Sequence, residues 1–226
     1  MPKIVGTRER VHQPFYDTLL RVDGSSNLRV TPQNGFGAVQ ARTQLFQRSG
    51  ADLAVTNLST GGQFASDQTY VTLAVRVWTY FRWNIENTVV TPALGADRTM
   101  RVHKLYHQSQ NQIFWEFAAG DKPQLTTFTA YTPFAGGLDG FFNDSRLPRA
   151  NNGIPTSSAL MRLARPILIP PRQGFKVSAT ISPIGPATGS DLIAQLNGLT
   201  DAGEAADDIS KDIKYLLDGI HSRDVL

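Results

Sequence analysis

Hydrophobic and polar residues alternate most clearly between residues 69 and 83. Val71, Leu73, Val75, Val77, Phe81 and Trp83 fall on odd positions, interrupted only by Thr79, while Thr72, Arg76, Tyr80 and Arg82 fall on even ones. A period of two, carried by β-branched and aromatic side chains, predicts a strand with one core face. The segment is long for a strand, so it is expected to bend or to pass from one sheet to another.

The same reading predicts strands at 17–22, 38–47, 51–58, 99–107, 112–118, 124–131, 159–163, 166–169 and 174–181. Two of them have well-marked inner faces: Ile113, Trp115 and Phe117 in one, and Phe175, Val177, Ala179 and Ile181 in the other. Turn signals such as Asn34-Gly35, Gly61-Gly62 and Pro170-Pro171 separate the segments. The pattern predicts a mainly β chain, an antiparallel β-sandwich.

Beyond residue 188 the spacing changes. Pro183, Gly185, Pro186 and Gly189 read as a linker. Ser190 can cap a short helix carrying Leu192, Ile193 and Leu196, which Asn197-Gly198 would stop. Asp201 and Glu204 resemble a capping box for a second helix, along which Ile209, Ile213, Leu216 and Ile220 recur at intervals of four, three and four. The expected organisation is a β domain over 1–188 and an acidic, amphipathic helical tail over 189–226. The apolar seam of that tail is expected either to pack on the body or to dock on a neighbouring subunit.

Charge sharpens this division. The chain carries +3 overall, but the tail holds eight acids against three bases, which makes it −5 and leaves +8 on the body. The arginines of the body stand singly, with no basic run and no nucleic-acid-binding motif, so direct nucleic-acid recognition is not expected. Hydrophobic residues make up 41% and charged residues 18%, the balance of an ordered protein with a lightly charged surface. The chain has no cysteine, which excludes disulfides and thiolate metal sites. The first residues carry no apolar run of signal-peptide length, and no stretch reaches the length of a membrane span. Synthesis in a cytoplasm, without membrane anchoring, is the expectation.

Candidate chemistry is sparse. His103 and His107 stand four apart, a spacing that suits a metal only on a helix. With 99–107 read as a strand, their rings would lie roughly 13 Å apart. Asp139 and Asp144 in a glycine-rich loop lack the alternating acids of a calcium loop. Asp67, Glu86 and Glu116 are scattered carboxylates with no evident pairing, and nucleophile-elbow, phosphate-loop and dinucleotide motifs are all missing. No catalytic, cofactor or metal site is expected, and the protein is not read as an enzyme. The long loop at 133–152, with Phe141 and Phe142, is the kind that usually carries a contact or buries a satellite core. The candidate interface residues are therefore Ile209, Ile213, Leu216, Ile220, Phe141 and Phe142.

One segment adds a resemblance. Arg165-Pro-Ile-Leu-Ile-Pro-Pro-Arg-Gln-Gly-Phe-Lys-Val-Ser-Ala-Thr-Ile resembles the closing hairpin of jelly-roll capsid proteins of bacteriophages, in which a proline-containing turn leads into an aromatic-x-Val strand. It covers about a tenth of the chain. The chain is too short for a double jelly roll and lacks the long helix and extended arm of tailed-phage shell proteins. The resemblance thus implies a single jelly roll serving as a capsid, cement or decoration protein in the virion. Its partners would be other capsid subunits and further copies of itself, in a trimer by preference. The competing reading is a receptor- or carbohydrate-binding tail protein using Trp78, Tyr80, Trp83 and Trp115. Behind both stands a jelly-roll enzyme of the cupin type, which the four histidines of the chain do little to support.

Overall fold

A computed structural model describes residues 7–22, 29–30, 42–47, 53, 55–83, 92–132, 149–151, 162–181 and 209–225. The fold is mainly β, with antiparallel sheets and one α-helix among these residues. The strands are β1 (Thr7–His12), β2 (Phe15–Val22), β3 (Arg29–Val30), β4 (Arg42–Leu45), β5 (Gln68–Trp83) and β6 (Ile113–Ala119). They continue with β7 (Lys122–Phe128), β8 (Arg149–Asn151), β9 (Arg162–Ile169), β10 (Phe175–Ile181) and β11 (Ile209–Val225). Helix α1 (Pro92–Gln112) lies between β5 and β6, and a single 3-10 turn (Thr129–Tyr131) follows β7.

The strands form two sheets. The larger has the order β3-β2-β11-β5-β8, with β1 beside β11 and β9 beside β5, and the smaller has the order β4-β10-β6-β7. The spine of the larger sheet is the pairing of β5 with β11, 16 and 17 residues long. The inner faces of the two sheets meet in one core. Trp115 of the small sheet packs edge-on against Tyr215 of the large one with ring centroids 5.7 Å apart, and both are fully buried. Ile113, Trp115, Phe117, Phe175, Val177, Ala179 and Ile181 all face inward, as their alternation predicts.

Three expectations are corrected. First, the segment from Ile209 onward is not helical. It is the strand β11, hydrogen-bonded to β5 on one side and to β1 and β2 on the other. This part of the supposed tail is therefore central to the sheet. The sequence carries two periodicities here, and the period of two (Ile209, Ile213, Tyr215 and Leu217 against Ser210, Asp212 and Lys214) prevails because both strand edges find partners. The predicted first helix at 190–197 lies outside the described residues.

Second, residues 99–107 are part of α1, not a strand. Pro92 opens the helix with its ring-fixed φ. Val102, Leu105, Tyr106, Ser109 and Gln112 are buried, while Met100, Lys104, His107 and Asn111 are exposed, which is helical spacing on both faces. Polar residues on the inward face obscure the pattern in sequence. Gln110 is buried there too and donates from Nε2 to Thr79 Oγ1 at 2.9 Å, which ties α1 to β5.

Third, the long alternation of β5 changes face partway. Val75, Val77 and Phe81 are buried as predicted, with Thr79 buried between them, but on the N-terminal side Tyr70 and Thr72 point inward in place of Val71 and Leu73. The register against β11 shifts at Asp218/Gly219, where Leu73 is the extra residue on β5. One inserted residue inverts every side chain beyond it.

Candidate contact surface

The six expected interface residues do not form one seam. In a strand, Ile209 and Ile213 share the inner face, where Ile213 is fully buried and Ile209 packs against the core. Leu216 and Ile220 are half-buried positions on the opposite face. Phe141 and Phe142 lie outside the described residues, as do Asp139 and Asp144.

The outer face of the large sheet gathers the polar groups of the spine. Asp218 is nearly buried and accepts hydrogen bonds from His12 Nε2 (2.6 Å, to Oδ1) and from Arg76 Nη2 (to Oδ2). The node joins β1, β5 and β11. On the inner face behind it, Tyr70 Oη is shared between the carbonyl oxygens of Leu217 (2.7 Å) and Gln13 (2.9 Å). Burial, and then the Asp218 carboxylate, push the Tyr70 phenol far above its ordinary range, so it stays neutral. Further along the outer face, Trp78 and Tyr80 lie with parallel ring planes and centroids 6.4 Å apart. Lys214 sits over the Tyr16 ring at 5.9 Å and pairs with Asp212 at 3.3 Å.

The histidines are dispersed. His221 is buried against Phe15 (5.5 Å) and Phe64 (6.0 Å), and that burial, followed by the nearby Arg223, lowers its pKa. His103 and His107 do share a helix, contrary to the strand reading. His103 is half-buried and titrates low through burial and its neighbour His107. Among the described residues, no three His, Asp or Glu side chains converge as metal ligands, and no helix is long and apolar enough to cross a membrane.

A more open surface lies where the chain crosses from one sheet to the other. The predicted closing hairpin is in fact a corner: β9 pairs with β5 in the large sheet, and β10 pairs with β4 and β6 in the small one. Main-chain bonds pin the corner, from Arg172 N to Phe64 O (3.1 Å), Phe175 N to Gly62 O (2.8 Å) and Gly120 N to Gly174 O (2.7 Å). Gly120 has a φ of +64°, and a Cβ there would meet Gln173 Nε2 at 2.8 Å.

Upstream, β9 matches Ile169, Leu168 and Ile167 to Tyr70, Val71 and Thr72, and then Arg162 to Ala74. The four residues Leu163–Pro166 arch out of the ladder, where Pro166 has no N–H to contribute. The arch walls a groove of about 580 Å³ whose other side is Ala119, Gln124 and Gln173. Leu168 is 57% exposed on this edge. The sequence offered a signal for the surface in Arg165-Pro166 and Pro171-Arg172, but nothing in it marked the arch.

The chain matches no protein-family model and no curated protein.

Proposed function

We propose that this chain is a structural protein of a virus particle, a single jelly-roll capsid or cement component of a bacteriophage that works through protein–protein contacts. One observation carries the reading, the nesting of strand pairs. β2 pairs with β11, β4 with β10, β5 with β9 and β6 with β7. Among these eight strands first joins last, second joins next-to-last, and successive nested pairs fall in alternate sheets, while β1, β3 and β8 add to the large sheet. A long antiparallel hairpin rolled up on itself gives this order, and a jelly roll is such a roll. The architecture is shared by viral coats, lectins and cupins. The local sequence of residues 165–181, Pro-Pro turn followed by an aromatic-x-Val strand, favours the first of these as a resemblance in sequence alone, since the segment forms a corner between the sheets and not a hairpin.

The chemistry fits that choice. The polar clusters of the spine are ion pairs and hydrogen bonds that hold strands together, and the chain is free of oxidisable thiols. A coat protein needs rigid faces and edges that neighbours can cover. Threefold self-association is the assembly this reading favours. The decisive experiment is quantitative mass spectrometry of purified particles. The chain should be present at a fixed, high copy number, and its absence would end the proposal.

A second reading, glycan or receptor binding, draws on the parallel Trp78 and Tyr80 rings of the outer face. Trp115 drops out of that set because it is fully buried between the sheets. Glycan-array binding abolished by Trp78→Ala in a folded protein would favour this alternative.

A further inference from the structure

We propose that the groove beside β9 receives an acidic, extended segment from a second copy of this chain, laid along the edge of that strand away from β5. The inference rests on the reading of the chain as an assembling coat component, and it names the partner of that assembly.

Ile167 to Ile169 offer a regular edge for strand addition, and Pro166 with the arch beyond it sets where pairing stops. Among the described residues β9 pairs only with β5, and Ala164, Arg165, Pro166 and Leu168 are exposed along it. An added strand gains main-chain hydrogen bonds from such an edge and specificity from pockets beneath it. Here the pocket is the groove, with an apolar wall from Leu163, Ile167 and Leu168.

Its charge selects the occupant. Arg165 lines the groove, Arg172 adjoins the lining residue Gln173, and exposed Lys122 is paired with the lining residue Ala119. Arg162 stands at the far end of β9 and is exposed as well. The lining residues include no acid, and exposed Asp121 stands two residues beyond the lining residue Ala119. An unbranched acidic peptide answers this pattern, whereas a single-stranded nucleic acid would need aromatic faces to stack on and the lining has none. The chain carries a fitting sequence in residues 201–208, Asp-Ala-Gly-Glu-Ala-Ala-Asp-Asp, with four acids, no base and only small side chains between them. Small residues suit a shallow groove, and the acids match the cations of its rim.

The test uses the full-length chain and a fluorescent peptide of residues 199–208, read by anisotropy. Saturable binding should weaken about five- to tenfold in Arg165→Glu and again on raising salt from 0.05 to about 0.5 M. Leu168→Asp should weaken it further, and both variants should keep the circular dichroism spectrum of the parent. A peptide with its four acids changed to Asn and Gln should lose binding. A chain with Arg162, Arg165 and Arg172 reversed to Glu should instead prefer a peptide with the acids reversed to Lys. Failure of the parent peptide to bind at millimolar concentration overturns the proposal, as does equal binding by the neutral peptide. Tighter binding of an oligonucleotide, competed by neither peptide, overturns it in favour of nucleic acid. None of these failures touches the copy number in particles, which tests the coat reading separately.

Discussion

A Cβ placed on Gly219 would lie 2.1 Å from the carbonyl oxygen of Val71, so β11 can approach β5 at this point only with glycine. The same Cβ would stand 2.9 Å from the Tyr70 ring, whose hydroxyl is held by Leu217 and Gln13. Backbone cannot step aside as a flexible side chain can. Gly219→Ala is therefore expected to destabilise the protein by about 3 kcal/mol or more, in the range of severe overpacking. Urea denaturation would read this as a lower midpoint, and an unchanged midpoint would mean that the spine is less tightly joined here.

Asp218 binds Arg76 and His12 from two different strands, and its carboxylate is mostly out of water. Asp218→Asn keeps the size but removes the charge that Arg76 Nη2 and His12 Nε2 meet at this node. The expected cost is about 2 kcal/mol, because two charge-assisted hydrogen bonds to a carboxylate that is mostly out of water are weakened at once. His12→Ala should cost less than about 1 kcal/mol, since His12 is well exposed. Equal effects of the two substitutions would show that the node is not organised around Arg76.

Acid should loosen the fold through His221. Its folded-state pKa lies below the ordinary 6.5, with burial first and Arg223 second as causes, against which Asp67 and Glu9 act more weakly. The unfolded chain thus takes up a proton before the folded one does. The stabilising contribution is complete above about pH 6.5 and is lost as pH falls through the folded value. His103 acts with the same sign. Each histidine can add a slope of at most about 1.4 kcal/mol per pH unit to the unfolding free energy. His221→Phe, which extends the Phe15 and Phe64 cluster, should flatten the profile between pH 7 and 5. A profile as steep as the parent's would point to other groups.

Two tyrosines should resist base. Tyr70 and Tyr215 have their pKa values raised well above 10, chiefly by burial, so their contribution is complete below pH 10 and is lost as pH rises beyond it. Ultraviolet titration should find two of the six tyrosines ionising only as the protein unfolds. Reversible ionisation of all six in the folded state would contradict this burial.

Ile213 and Leu216 now separate. A helical seam predicts that aspartate at either position weakens assembly and leaves the body intact. In the strand, Ile213→Asp puts a carboxylate into the sealed core and should unfold the domain, at a cost of about 4 kcal/mol or more. Leu216→Asp, on the other face, should cost about 1–2 kcal/mol. Matching thermal shifts for the two variants would return the seam to consideration.

The sequence by itself determined the class of fold and much of its inner surface. Ile113, Trp115 and Phe117, and Phe175 through Ile181, declare their buried faces because period-two alternation is a local property of a strand. The absence of cysteine and the count of four histidines were equally legible, being a matter of which residues the chain contains. Tertiary structure decided what local pattern left double-valued. The apolar positions from Ile209 to Ile220 satisfy a helical spacing and a strand alternation together, and only the free edges of β5, β1 and β2 select the strand. The segment around His103 hides a helix because Ser109, Gln110 and Gln112 occupy buried positions that a sequence pattern expects to be apolar. The groove beside β9 could not be read at all, since its arch follows from a register mismatch between Ile167 and Arg162 on β9 and Thr72 and Ala74 on β5. A register is a relation between two strands, and neither strand encodes it alone.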